Sequence, residues 1–258
     1  MSNPVPEIMQ NPRLKVKRAN KHIASLLTDC AALPHDLYEI ANGPARSIAV
    51  LRNPDCFDLS YRPKEPINEH FGAVVGDAVN NLREALDYWI NNAVLWRTNV
   101  RGKLHFPFAE ERKNLKTTRN YLLIERAFPE LAAKILNEIE PCRDTNLYLW
   151  AVTSLCNKNK HNDFLPVVTI GITDNFFAET EGCNTFTGGI IKHDANNNCI
   201  FIRSGYPIKL KKDLRFSTEI TFPKGAVFEN QPVIPTLVNM AQVVSETLDV
   251  LEEFISTV

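Results

Sequence analysis

From Phe71 to Trp96 the apolar residues Phe71, Val75, Ala78, Leu82, Leu86, Trp89, Ala93 and Trp96 follow one another in unbroken steps of three and four. Only an α-helix with one buried face needs that spacing. Pro66 and Asn68 supply its entry, since proline suits a first helical turn and asparagine an N-cap. A helix running from there to Trp96 is about 45 Å long, the width of a whole domain, so the rest of the chain has to be arranged around it. Beside the apolar stripe runs a second one, Gly72, Gly76, Asn80, Arg83 and Asp87. Two glycines inside a helix cost roughly 1 kcal/mol each in propensity, which is reasonable where another backbone must come close. The polar stripe is therefore expected to be covered. Arg83 and Asp87, four residues apart, can pair, either as an ion pair that fixes helix register or as part of a catalytic site.

Other helices follow from the same periodicity. Val16, Ala19, Ile23, Leu26 and Cys30 make one face of a first helix that Pro34 should end; Leu115–Arg126 and Pro129–Glu140 make two shorter ones, stopped at Pro141; and Leu237, Met240, Val244, Leu248, Leu251 and Ile255 make the face of a terminal helix. Between them lie β-prone runs. LYEIA and SIAVL flank the turn-forming NGPAR, CFDLSY is a third, and LPVVTIGI, GGIIK, CIFIR and LRFSTEITF follow residue 164. The last alternates Leu214, Phe216, Thr218, Ile220 and Phe222 against Arg215, Ser217, Glu219 and Thr221, a half-buried strand. The expected fold is α+β, a helical bundle with an antiparallel β-sheet region, as a single domain over 1–258. Its helices fall at about 12–31, 67–98, 113–140, 144–161 and 235–257, and its β-region at about 36–62 and 165–228.

With 44% hydrophobic residues, 23% charged residues and a formal net charge of -1, the chain has no global field to draw in nucleic acid or an anionic membrane. The basic run RLKVKRANK reads as the solvated face of the first helix. No apolar stretch approaches the ~20 residues of a membrane span. MSNPVPEIMQNPRLK has no apolar signal-peptide core, and the six cysteines form no C-x-x-C pair, so the expected compartment is the cytoplasm, with reduced thiols. No Cys/His spacing suits zinc, and phosphate-binding, dinucleotide and nucleophile-elbow motifs are missing, so neither a metal nor a cofactor is expected.

The remaining polar concentration is SLCNKNKHNDF, residues 154–164, at the end of a helix from about Asp144 to His161. Trp150, Ser154, Asn157 and His161 fall within a narrow arc of it, while Lys158 and Lys160 diverge. A histidine beside cations can move protons near neutral pH, with lysine or arginine stabilising developing charge, so His161, Asn157, Lys160, Arg83 and Asp87 form the candidate catalytic set. A structural account is equally available, because cations complement the C-terminal end of a helix dipole and asparagine often ends a helix. Either way, Asn157 and His161 are expected to face Arg83 and Asp87.

In order, GDAVNNLREALDYWI, LHFPFAE and EIEPCRDTNLYLWAVTSLCNKNKH resemble a family of bacterial proteins of unknown function. Its members carry an NLR-x-ALD helix, an FP segment, a Q-or-E-P-Y turn and an N-x-x-KH helix end. The likeness covers Gly76 to Val168; Cys142 stands where an aromatic is usual and Asn159 where an aspartate precedes KH, whereas Arg83, Asp87, Asn157, Lys160 and His161 match. More distantly the helix end is similar to HEPN-type bundles, many of them metal-independent RNases of toxin and defence systems. Their hallmark arginine shortly before the histidine is replaced here by Ser154, Leu155 and Cys156. Two functions follow, a non-catalytic intracellular binding or interaction module, and, as the alternative, a HEPN-like RNase or RNA binder acting in toxin or phage-defence systems. Whether the chain is an enzyme stays open, as do its ligand or protein partner, RNA among them, and pairing as a homodimer.

Overall fold

A computed structural model describes residues 11–36, 38–44, 57–63, 68–100, 102–160, 167–172, 178–181, 199–210, 216–222 and 224–258. The architecture is α+β. Helices α1 (Asn11–Asp36), α2 (Asn68–Thr98), α3 (Arg112–Leu115), α4 (Arg119–Ala127), α5 (Pro129–Lys134), α6 (Leu147–Lys160) and α7 (Val233–Thr257) are joined by a π-helical turn, Ile135–Ile139. The strands are β1 (Tyr38–Pro44), β2 (Phe57–Pro63), β3 (Val167–Ile172), β4 (Ala178–Thr180), β5 (Cys199–Ser204), β6 (Ile208–Leu210) and β7 (Phe216–Thr221). Their contacts fall into two compact units, Met1–Leu26 with Gly72–Leu165 and Phe222–Val258, and Leu27–Phe71 with Pro166–Thr221.

In the helical unit the apolar stripes do what their spacing requires. Val75, Ala78, Leu82, Leu86, Trp89 and Ala93 of α2 are buried, as are Leu237, Met240, Val244, Leu248, Leu251 and Ile255 of α7. Each such leucine or valine removed from water contributes about 1.5–3 kcal/mol. Gly72 and Gly76 are buried too, as expected of the second stripe. Trp96 departs from its stripe: it is 43% exposed, because in the last turn of α2 only one side of the indole finds cover, on Phe128 at 6.4 Å between ring centroids. Phe128 also packs on Phe254 of α7, with ring centroids 5.5 Å apart.

Helix ends are set by local chemistry. Thr118 caps α4 by accepting from Tyr121 N, and Pro129 opens α5. The π-turn stops at Glu140, whose φ of 47° is the left-handed conformation that closes helices, and Pro141 prevents any continuation. Pro34 does not end α1, which runs two residues further to Asp36. A proline in a last turn forfeits one backbone bond, and in α1 that loss is tolerated.

Among the described residues the strand pairs of the sheet unit are antiparallel. β1 pairs with β2 from Tyr38↔Pro63 to Pro44↔Phe57, and β2 pairs with β5, with an irregularity at Leu59/Ser60. β3 pairs with β7, and β4 with β6. Of the turn expected at NGPAR, Asn42, Gly43 and Pro44 stay in β1, because pairing along all of β2 outweighs the local turn preference, and Pro44 sits at the end of a strand that is outermost among those described, where a missing N–H is tolerated; Ala45 and Arg46 lie outside the described residues. SIAVL and GGIIK lie outside the described residues. β4 and β6, three residues each, carry too short a pattern to announce themselves. In β7 the alternation holds at exposed Glu219 and buried Ile220, while Thr221, expected on the outer side, is also buried.

Candidate functional site

The polar stripe of α2 faces an extended segment, Leu104–Phe108, that crosses it after the helix has ended. One turn beyond Asp87 the stripe continues to Asn91, and there the crossing begins. The Asn91 amide donates to the Leu104 carbonyl (2.6 Å) and its oxygen accepts from the Leu104 N–H (2.9 Å), the two bonds a neighbouring strand would make. Its Nδ2 also donates to the Asp87 carbonyl at 2.7 Å. Asp87 Oδ1 accepts from Phe106 N at 2.7 Å, and Arg83 Nη2 donates to the Phe106 carbonyl at 3.4 Å. Residues 83, 87 and 91 are thus the rungs of a ladder that satisfies alternate backbone groups of an irregular strand. Pattern and burial agree, since Leu104 and Phe106 are buried and the intervening His105 is exposed.

Arg83 and Asp87 pair within this ladder through Arg83 Nε, at 3.1 and 3.2 Å from the two carboxylate oxygens. Their side chains are only 14% and 16% exposed, so the charges need one another. The remaining guanidinium nitrogen, Nη1, donates to Thr153 Oγ1 of α6, and the whole group lies over the Phe108 ring, 4.7 Å from its centroid. Asp87 Oδ2 also meets His105 Nδ1 at 2.8 Å, and the imidazole is 63% exposed. In its neutral form with the proton on Nδ1, or as imidazolium, His105 donates to that carboxylate.

A second clamp holds the following residues. Ala109 N donates to the Pro141 carbonyl and Arg143 N to the Ala109 carbonyl, at 3.3 and 3.2 Å, giving a parallel bridge between Ala109 and Cys142. Arg112 N donates to the Asp144 carboxylate at 3.1 and 3.2 Å, and Arg112 Nε donates to Glu140. The EPCRD turn therefore serves as a dock for the segment that α2 holds at its other end. Cys142 fits there because it is fully buried, and burial pushes its thiol up from the ordinary range.

The candidate residues read from the sequence separate into two groups. Arg83 and Asp87 are paired and covered. Asn157 is exposed, and the α6 residues that meet α2 are instead Thr153 and Cys156, whose Sγ lies 3.1 Å from Asn80 Oδ1. The expectation that Asn157 faces Arg83 and Asp87 is thus corrected: Asn157 is exposed, and beyond Asp87 the partners of Arg83 are the Phe106 carbonyl and the Thr153 hydroxyl. Lys158 Nζ donates to the Gly225 carbonyl. Lys160 is the last residue of α6, its side chain outside the described set, and His161 lies outside the described residues altogether. Asn91, His105 and Thr153 were not singled out in the sequence. The signals were present for two of them: Asn91 extends the 83, 87 spacing by one more turn, and Leu104-His105-Phe106 alternates as a half-buried strand does.

Along α1, Arg13 is drawn to α7 by Asp249 (2.5 Å) and Glu252 (2.8 Å), and Lys15 to Glu84 of α2 (2.5 Å). Lys17, Arg18 and Lys21 are exposed, as a solvated helix face requires. Among the described residues no cluster of His, Cys, Asp and Glu could hold a metal ion, and no helix is long and apolar enough to cross a membrane. Comparison of the chain with protein-family models, curated proteins and solved structures gave no match.

Proposed function

We propose that the protein is a non-catalytic binding or interaction module of the cytoplasm, related to the bacterial family whose ordered motifs it shares. The observation that carries this reading is the occupancy of the ladder: each nitrogen of the Arg83 guanidinium and each oxygen of the Asp87 carboxylate has a partner within the protein. Groups so committed hold a fold together. The motif pieces converge accordingly. NLR-x-ALD supplies Arg83 and Asp87, the FP segment supplies the backbone they bind, the EPC turn docks its continuation, and the helix leading to KH supplies Thr153. Read this way, the motif set is a signature of one clasp, with no reaction implied. The buried thiols of Cys30 and Cys142, neither in a disulfide, support a reducing compartment.

The test is an RNA-cleavage assay on the purified chain beside His161→Ala, with single-stranded and hairpin RNA and a chelator present. No cleavage by either protein is the expected result. Cleavage by the parent chain that vanishes in His161→Ala while its melting temperature is kept would replace this reading with the HEPN-like, metal-independent RNase.

A further inference from the structure

We draw no further inference here: the strongest candidate, the exposed His105 imidazole held by Asp87 at the edge of α2, belongs to the polar ladder already described, and nothing in the structure shows what it would act on.

Discussion

Two of the arginine–aspartate pairs, Arg203–Asp58 in the sheet unit and Arg83–Asp87 in the helical unit, are built to different plans. Arg203 meets Asp58 as a fork, Nε to Oδ1 at 2.7 Å and Nη2 to Oδ2 at 2.8 Å, between residues that face each other directly across β5 and β2. Arg83 spends one nitrogen on Asp87 and sends the others to Phe106 and Thr153, while Asp87 gathers donors from Arg83, His105 and Phe106. The fork marks the register of two strands that hydrogen-bond in any case. The splayed pair joins segments with no regular pairing of their own. An irregular strand crossing a helix has no ladder partner, and side chains must provide one.

The largest expected effect follows from removing the centre of the splayed pair. Asp87→Ala leaves the Arg83 charge nearly buried without its counter-ion and the Phe106 N–H without an acceptor, so the helical unit should lose about 3–5 kcal/mol in chemical denaturation. A loss below 1 kcal/mol would mean that water replaces the carboxylate freely. Asn91→Ala strips both polar groups of Leu104 of their partner but leaves no charge behind; about 2–3 kcal/mol is expected from the same measurement.

The fork should be more forgiving. Arg203→Met strands the Asp58 carboxylate, whose side chain is 7% exposed, yet the arginine it loses is 38% exposed, so water can reach the vacated end. About 1–2 kcal/mol is expected. A loss equal to that of Asp87→Ala would erase the distinction between the two plans.

A pH effect belongs to Cys30, a buried thiol of the sheet unit. Burial, followed by the nearby charges of Asp29 and Glu219, raises the Cys30 thiol from 9.0 to about 11. Since the unfolded thiol ionises at the lower pH, the contribution is complete below pH 9 and is lost as pH rises through about 11. Cys30→Ala should therefore flatten the fall in stability between those values; an unchanged slope would assign the fall to other groups. The smallest effect is expected from Asn157→Ala, within about 0.5 kcal/mol, because its side chain is exposed.

What could be read from the sequence was what repeats. The stripes of α2 and α7 and the strand at STEIT follow from period, CIFIR from its β-prone residues, and the covering of Gly72, Gly76, Arg83 and Asp87 from two glycines set inside a helix. The cover itself could not be read, because Leu104 and Phe106 bond to α2 through backbone atoms that any residue carries. Identity matters on the helix side, at Arg83, Asp87 and Asn91, the last an amide that can both donate and accept. The other misreadings, at Pro34 and at Asn42–Pro44, share one cause: strong local stop and turn preferences yielded to continued helix and to strand pairing. On α6 position along the axis decided the outcome, since Thr153 and Asn157 share a face one turn apart, and of the two Thr153 meets Arg83 while Asn157 is exposed.

The central claim is that α2 holds the crossing segment rung by rung, and hydrogen exchange at two amides tests it most directly. In the parent chain the amides of Leu104 and Phe106 should both be protected. Asn91→Ala should release Leu104 more than Phe106, and Asp87→Ala should release Phe106 more than Leu104. Exchange of both amides at the rate of an exposed loop in the parent chain, or equal release of the two in either variant, would contradict the ladder.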